Sequence, residues 1–409
     1  MALNTPAGDP ADPVLVVGGG VAGISAALDL ARAGRSVHLV ERGGELGGQT
    51  ARLDKLYPTD HCGFCPVWSE VRLCQHHPRV TIYTRTTVRE LLPGDGFQTA
   101  VLQQTPNGID PLRCVFCGRC ARECTEDAVV PTPPHVNPPA FRIEPSRCTR
   151  CGRCSDACPT GAIDIDRKAT ETRVRVQGVI WATGFEAADL SPAKEFGAGS
   201  HPDIMEALAF EEWIAEAGPN QGRVRCHDGR PAKQVAFIQC AGARDRRLLP
   251  QCNAVCCMHA LKQARWVKRR NPDCGCVIFY ADLRTEGHGY EAYYRNGALK
   301  IGIEMVRARP GMVYPLPGGD GIAVRYENTL IRQPVMERFD MVVLNGGLRP
   351  VVPAEIDGQS VAVNTASGFI EAVSGNSRSC GFCKAPADVE VSAVHGSAAA
   401  IEMLTEGGR

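Results

Sequence analysis

Eight cysteines between residues 114 and 158 repeat one spacing, in which two, two and three residues separate successive thiols. The pattern occurs twice, and Pro159 follows the second run. Paired runs of this kind hold two four-iron clusters, because the fourth cysteine of each run binds the cluster of the other run. We therefore predict a [4Fe–4S] cluster on each of two groups, which are Cys114, Cys117, Cys120 and Cys158, and Cys148, Cys151, Cys154 and Cys124.

Zinc is the alternative metal for closely spaced cysteines. Eight thiolates in a tight repeat suit iron–sulfur clusters better than tetrahedral zinc pairs. Thr125 stands where a proline would follow the first run, which is a minor departure from the pattern. The segment between the runs, residues 130–145, carries six prolines and is predicted to be extended and stiff.

A second group of cysteines lies where a strand gives way to a helix. Residues 235–238 predict a strand, the chain turns at Gly242, and a helical pattern begins at about Asn253. An enzyme of pyridine nucleotides carries a glycine-rich phosphate cradle at such a turn. We interpret this turn as a dinucleotide-binding scaffold rebuilt to hold an iron–sulfur cluster, rather than as a set of buried free thiols. Its cysteines are Cys240, Cys252, Cys256 and Cys257.

The N-terminal residues predict a dinucleotide site. Residues 13–17 form an apolar strand, a Gly-Gly-Gly-Val-Ala-Gly turn follows, and the next helix and strand lead to Glu41. The first glycine makes a tight turn, the second lets the backbone approach a pyrophosphate, and the third packs helix against strand. The helix N-terminus offers N–H groups to phosphates, and Glu41 can accept hydrogen bonds from ribose hydroxyls. The three glycines are Gly18, Gly20 and Gly23.

FAD is favoured over NAD as the dinucleotide. Flavoproteins with two dinucleotide-binding domains bring a second glycine pair against the cofactor, and Gly47-Gly48 stands at that place. Residues 179–184 resemble the strand and turn of the same proteins and end in Thr183-Gly184. A comparable strand, residues 341–344, precedes Gly347, although Asn-Gly-Gly replaces the usual Ala-Thr-Gly there. The second half of the chain lacks a glycine fingerprint, so direct oxidation of NAD(P)H is disfavoured.

Other stretches are left open by the sequence. Cys62 and Cys65 have CxxC spacing and could bind metal, form a redox pair or line the flavin pocket. Residues 187–218 are predicted to be mainly helical and chemically quiet, and residues 283–294 to form a solvated charged face. Cys74, Cys380 and Cys383 have no assigned role, and Cys226, Cys274 and Cys276 are interpreted as buried thiols.

The composition limits the classes of function. The 409 residues are enough for roughly two or three domains. The 45 acidic and 45 basic residues balance, which gives no indication of nucleic-acid or anionic-membrane binding. No apolar run is long enough to span a bilayer, and we expect no secretion signal before the first strand. Twenty cysteines without an export signal favour metal sites in a reducing compartment, so we expect a cytoplasmic protein.

With these motifs in view, the chain resembles the A-type component of heterodisulfide reductase and its relatives, which include the A-type component of the quinone-interacting membrane-bound oxidoreductase complex. The resemblance covers nearly the whole length. It is carried by the flavin fingerprint, the inserted cysteine runs, Cys240-Ala-Gly-Ala-Arg-Asp, Ala260-Leu-Lys-Gln and a closing Gly-Phe-Cys…Pro-x-Asp segment.

The resemblance implies FAD and a third [4Fe–4S] cluster on Cys240, Cys252, Cys256 and Cys257. It also implies that Lys262 is a catalytic residue near the flavin N5, where an ammonium would stabilise an anionic reduced flavin. The alternative for Lys262 is an ordinary solvated lysine on a helix.

The implied fold class is α/β: a thioredoxin-reductase-like flavoprotein with two dinucleotide-binding domains and an inserted two-cluster ferredoxin domain. We expect the FAD-binding domain at residues 1–105, 168–228 and 336–409. The ferredoxin insert is expected at residues 106–167, and the second Rossmann-like domain, with the third cluster, at residues 229–335.

The resemblance implies an electron-transfer oxidoreductase component that passes electrons between FAD, iron–sulfur clusters and partner subunits that act on sulfur compounds. Expected partners are B- and C-type subunits of heterodisulfide reductase or subunits of the quinone-interacting complex, a ferredoxin or other redox protein, and further copies of this chain. One alternative is a component linking a membrane quinone module to a sulfur-metabolism reductase. The others are a self-sufficient NAD(P)H-dependent iron–sulfur flavoenzyme, and a disulfide reductase acting through Cys62 and Cys65 or through Cys380 and Cys383.

Overall fold

The computed structural model describes residues 12–132, 140–319, 321–353, 361–371 and 376–406. The α-helices are α1 Val21–Arg32, α2 Phe64–His76, α3 Arg119–Arg122, α4 Arg153–Asp156, α5 Ala207–Ile214, α6 Cys256–Arg270, α7 Tyr290–Gly297 and α8 Val389–Glu406. The strands are β1 Val14–Val17, β2 Val37–Val40, β3 Lys55–Leu56, β4 His61–Cys62, β5 Val80–Tyr83, β6 Thr86–Pro93, β7 Gln98–Gln104, β8 Val129–Pro131, β9 Phe141–Ile143, β10 Thr170–Val176, β11 Gly178–Trp181, β12 Phe185–Ala187, β13 Ile204–Glu206, β14 Gln234–Ile238, β15 Gly275–Phe279, β16 Glu304–Val306, β17 Met312–Pro315, β18 Ile322–Asn328, β19 Gln333–Phe339, β20 Met341–Leu344, β21 Leu348–Pro350, β22 Ala362–Val363, β23 Ile370–Glu371 and β24 Ser377–Ser379.

The first unit is built on a parallel sheet with the strand order β24-β11-β1-β2-β5. Successive residues of a strand point to opposite faces of its sheet. Val14 and Val16 accordingly pack with α1 and α8, whereas Leu15 and Val17 pack against the antiparallel sheet β10-β7-β6. Because both faces are covered, every residue of β1 is apolar and buried.

The second unit repeats this plan with the parallel order β13-β20-β14-β15-β16. Val235 and Phe237 pack against α6, and Ala236 and Ile238 pack against the antiparallel sheet β17-β18-β19. The antiparallel pair β12-β21 connects the two units. The predicted α/β fold class is thereby confirmed.

The composition of the second sheet corrects two domain boundaries. The sequence pattern assigns β13 and β20 to the flavin domain, but both strands pair within the second sheet, where Met341 is aligned with Val235. A short apolar strand fits either parallel sheet, so its pattern does not show which sheet it joins. The second unit therefore starts before residue 229 and continues past residue 335.

Between the insert and β12 the chain forms two strands in different sheets, β10 with one exposed face and β11 fully buried. Two element assignments also change. The helix expected from Asn253 begins at Cys256, since Ala254 has a left-handed φ of 61°. Residues 187–218 contain a single α-helix, α5, so the prediction of a mainly helical stretch is wrong.

The cysteine-rich insert leaves and re-enters the first unit at one point, because β7 and β10 pair with Gln104 aligned to Thr170. Inside it, β8 and β9 form an antiparallel hairpin across the proline-rich segment. Residues 133–139 of that segment lie outside the described residues. Across the described part of the chain, every helix is too short or too polar to cross a bilayer.

Candidate cofactor and metal centres

The glycine turn after β1 meets Gly47-Gly48 at the carboxyl edge of the first sheet. The Gly47 N–H donates to the carbonyl of Gly19 over 2.8 Å, and a Cβ on Gly48 would lie 2.8 Å from the Cα of Gly20. A Cβ on Gly20 itself would meet nothing nearer than 3.9 Å. The two glycine stretches therefore approach as backbone and leave space beside Gly20, which fits a dinucleotide pyrophosphate.

The other candidate FAD residues surround this turn or the second sheet. Glu41 accepts hydrogen bonds from the N–H groups of Gly19 at 2.7 Å and Gly43 at 2.5 Å, which fix its carboxylate at the turn. The Thr183 hydroxyl donates to the carbonyl of Val351 over 2.5 Å. Gly184 and Gly347 have φ values of 71° and 97°. Gly347 lies beside Asn253, in the turn that carries Cys252.

The eight cysteines of the insert line two separate cavities. Each cavity combines three thiols of one run with the fourth thiol of the other run, which is the grouping that the spacing predicts. Among the described residues, no three His, Cys, Asp or Glu side chains converge on a single metal-ion position, and the thiols instead surround the cavities. The thiols are Cys114, Cys117, Cys120 and Cys158 in one cavity and Cys124, Cys148, Cys151 and Cys154 in the other.

Peptide N–H groups point at the crossing thiols. Ala128 N–H donates to Cys124 Sγ, and Ala162 N–H donates to Cys158 Sγ, each over 3.3 Å. Burial acts to raise the pKa of Cys158, but hydrogen bonds from Thr160 and the surrounding backbone lower it below its ordinary value. Four thiols with N–H donors are the ligand set of a [4Fe–4S] cluster, so the residues that line each cavity fit such a cluster.

The second group of cysteines gathers at the N-terminus of α6. Cys240 follows β14 with a φ of 55°, and the Ala254 N–H donates to Cys252 Sγ over 3.3 Å. Burial and the neighbouring thiols raise the pKa of Cys256 above its ordinary range, and burial raises that of Cys257 to about 11. Thiolates in this setting need a compensating positive charge, which iron would supply at a helix N-terminus.

Lys262 lies on the same helix and is buried, with 3% of its side chain exposed. Its Nζ donates to the carbonyl of Lys55 over 2.9 Å and to Oε1 of Glu211 over 2.7 Å. The alternative of a solvated helix lysine is therefore wrong. The prediction that residues 187–218 are chemically quiet is also wrong, because Glu211 is the counterion.

Glu211 is a buried counterion that the sequence patterns did not reveal. Its carboxylate also accepts from the Asp54 N–H at 3.1 Å and the Gln263 amide at 3.1 Å. Burial favours the neutral acid, but the Lys262 ammonium and His259 hold the pKa of Glu211 well below its usual range. Burial and Lys262 lower the pKa of His259, so the ion pair is Lys262 with Glu211 beside a neutral imidazole.

Residues 57–60 connect the first unit to α6 and α7. Tyr293 donates its hydroxyl hydrogen to Asp60 Oδ1 over 2.5 Å, and Arg265 donates to Oδ2 over 2.7 Å. The ring of Tyr57 meets that of Tyr290 edge-on at 5.4 Å. Tyr290 and Tyr293 are buried, so the expected solvated face at residues 283–294 is wrong where α7 packs.

The remaining cysteines divide by accessibility, and none of the chain's twenty cysteines forms a disulfide. Cys65 is exposed and hydrogen-bonded to the half-buried Cys62. Cys383 is fully buried and donates to the carbonyl of Trp181 over 3.3 Å, and Cys380 is equally buried. A disulfide substrate therefore cannot reach Cys380 and Cys383 in this structure. The other buried thiols are Cys74, Cys226, Cys274 and Cys276.

Comparison with known proteins bears on both the fold and the cofactors. Residues 13–61 match a family of FAD dependent oxidoreductases, and residues 113–162 match a 4Fe-4S dicluster domain. Thioredoxin reductases of T. acidophilum and Lactococcus lactis share the fold, with TM-scores of 0.55 and 0.56 at 14% identity. They cover 98% and 97% of this chain over 100% and 99% of their own.

Curated relatives come from methanogenic archaea. An A-type iron-sulfur component of the CoB–CoM heterodisulfide reductase of Methanopyrus kandleri is 36% identical over 98% of this chain and 65% of its own length. The A-type component of the H2:CoB-CoM heterodisulfide,ferredoxin reductase of Methanothermobacter marburgensis is 33% identical over 88% of this chain and 57% of its own. The chain thus spans between half and two thirds of the length of these relatives.

Proposed function

This chain is a relative of the A-type component of heterodisulfide reductase, and on that premise we propose that it is an oxidoreductase component relaying electrons between FAD and iron–sulfur clusters. FAD exchanges electrons singly or in pairs and each cluster exchanges one, so the flavin converts between the two kinds of carrier. The FAD would be held by Gly18, Gly20, Gly23, Glu41, Gly47, Gly48, Thr183, Gly184 and Gly347. The two clusters of the insert would be held by the thiols that line its two cavities.

The observation that carries the proposal is that α6 bears both the candidate cluster thiols and the lysine proposed to contact the flavin. Cys256 and Cys257 stand in its first turn, and Lys262 follows five residues after Cys257. With a rise of 1.5 Å per residue, Cys257 and Lys262 are separated by about 7.5 Å along the helix axis. One rigid helix would thus set the distance between the flavin and a third cluster. That cluster would be held by Cys240, Cys252, Cys256 and Cys257.

Lys262 is equipped to contact the flavin. An ammonium has three N–H donors, and Lys55 and Glu211 take two of them within the described residues. The third is available to a flavin atom. Lys55 follows Gly48 by seven residues and β3 carries it to the α6 surface, which supports a flavin beside Lys262. Glu211 acts as a positioning residue that holds the ammonium in place.

The partners and the compartment are also proposals, because the chain spans only part of its relatives. We infer association with B- and C-type subunits, with a redox carrier protein and with further copies of this chain, in the cytoplasm. A quinone-linked role, as in the quinone-interacting complex, would use the same flavin and clusters with a different partner.

Anaerobic reduction tests the proposal against an NAD(P)H-dependent flavoenzyme. The turn between β14 and α6 holds cysteines where a nicotinamide enzyme has its glycine cradle. We expect NADH to leave the flavin absorbance unchanged, and reduced methyl viologen to bleach flavin and clusters together. Rapid bleaching by NADH would support the rival function instead.

A further inference from the structure

The two cluster loops of the insert are close copies of each other in sequence. Residues 111–120 read Pro-Leu-Arg-Cys-Val-Phe-Cys-Gly-Arg-Cys, and residues 145–154 read Pro-Ser-Arg-Cys-Thr-Arg-Cys-Gly-Arg-Cys. Seven of the ten positions are identical. At each of the other three the first loop is apolar and the second is polar: Leu112 against Ser146, Val115 against Thr149, and Phe116 against Arg150.

The backbone does not account for this difference. Phe116 and Arg150 have φ values of 53° and 57°, and the glycines two residues later are left-handed in both loops. Corresponding positions are buried or exposed alike from the first residue of the loops to the last. Phe116 stacks on Phe141 at a centroid distance of 4.8 Å, so part of its role is structural. Leu112 and Val115 are 85% and 63% exposed, and Val115 lines the first cavity at the place where Thr149 lines the second.

Basic side chains outnumber acidic ones over residues 110–123. Arg113, Arg119 and Arg122 are exposed there, against Asp110 and Glu123, and Asp110 accepts the N–H of Leu112 over 2.9 Å. The second loop has Arg147 and Arg153 at the corresponding positions, and its Arg150 is paired with Asp166 at 2.8 Å, so the apolar residues distinguish the first loop from the second. An apolar centre with a charged rim is the anatomy of a protein–protein interface, and an apolar patch exposed on a monomer marks such a site.

We propose that Leu112, Val115 and Phe116 form a docking face for an acidic one-electron carrier protein with an apolar centre of its own. The face lies on the cavity lined by Cys114, Cys117, Cys120 and Cys158, so the docked carrier would exchange one electron with the cluster held there. The exposed arginines around the face favour an acidic partner by charge complementarity. The inference rests on the proposed function, because it requires that cluster, and it assigns the exchange to the first of the two insert clusters.

Exchanging residues between the loops tests the proposal. The variant Leu112→Ser/Val115→Thr gives the first loop the residues that the second loop already accommodates, so folding and cluster loading should persist. The matched control is Ser146→Leu/Thr149→Val. Binding of a purified acidic bacterial ferredoxin to the iron-loaded proteins is measured by calorimetric titration at two salt concentrations. We expect the first variant to bind at least about tenfold more weakly, and the control within about twofold of the wild type.

Added salt should weaken ferredoxin binding by the wild type, because it screens the attraction between the arginines around the face and the acidic carrier. Equal binding by the wild type and the first variant would overturn the proposal, and so would an equal loss in the control. Absence of binding by an iron-loaded wild type would overturn it as well, as would sedimentation showing that the face instead joins two copies of this chain. Failure of the proposed function looks different, because the wild type would then lack iron or flavin before any carrier is added.

Discussion

The ammonium of Lys262 lies 2.7 Å from the carboxylate of Glu211, and both side chains are at least 96% buried. The same carboxylate accepts the N–H of Asp54, and the same ammonium donates to the carbonyl of Lys55. The pair therefore joins α5 and α6 to the segment that follows Gly47-Gly48. It holds the helix with the second cysteine group against the part of the chain proposed to carry the flavin.

Removing one member of this pair should be costly. Glu211→Gln leaves a buried ammonium without its countercharge, and we expect a loss of about 3–5 kcal/mol in stability. The double variant Glu211→Gln/Lys262→Met removes both charges and should recover much of that loss. Thermal unfolding of the cofactor-loaded proteins measures both effects.

The matched control for that cycle is Glu291→Gln, which breaks an exposed pair with Arg295 on the helical surface. It should cost less than about 1 kcal/mol. A double variant no more stable than Glu211→Gln alone would show that the pair is not held together by its charges.

Gly20 should control FAD binding without controlling the fold. Its φ of −80° suits alanine, and a Cβ there meets no protein atom within 3.9 Å, so Gly20→Ala should fold. The added methyl would occupy the space proposed for the pyrophosphate, and a clash of about 1.4 kcal/mol already costs tenfold in affinity. Flavin content after gel filtration is the measurement, with Gly311→Ala, also in open space, as the control. Full flavin retention in Gly20→Ala would place the cofactor elsewhere.

Thiol alkylation should follow iron content. Cys117 and Cys151 are exposed in the chain, so only bound clusters would protect them from iodoacetamide. In iron-loaded protein at about pH 8.5, near the ordinary thiol pKa, both should remain unmodified, and both should react after the iron is removed. Peptide mass spectrometry reads the result. Modification of either cysteine in iron-loaded protein would argue against its role as a ligand.

Cys74 gives an internal reference for the same experiment. Burial raises the pKa of its thiol to about 12, so the reactive thiolate is scarce at any pH below that value. It should stay unmodified with and without iron, and it should react only in denatured protein. Labelling of Cys74 after iron removal alone would mean that the chain had unfolded.

The sequence predicts the sites whose chemistry is local. Each insert cavity takes three thiols from seven consecutive residues, so spacing alone grouped Cys114, Cys117 and Cys120. Glu211 depends instead on α5 packing against α6, a contact between distant residues. The one sequence feature that indicated its burial was its helical spacing from Ala207, Phe210 and Ile214, which are buried and apolar. The sheet membership of β13 and β20 had no signal, because short apolar strands fit either sheet.

Iron, acid-labile sulfide and flavin content of anaerobically purified protein tests the electron relay most directly. Three four-iron clusters predict about twelve irons per FAD. Cys256→Ser should remove about four of them, whereas Cys226→Ser, at a buried thiol outside the three groups, should remove none. About eight irons per FAD in the wild type would contradict the third cluster, and a yellow, iron-free protein would contradict the relay as a whole.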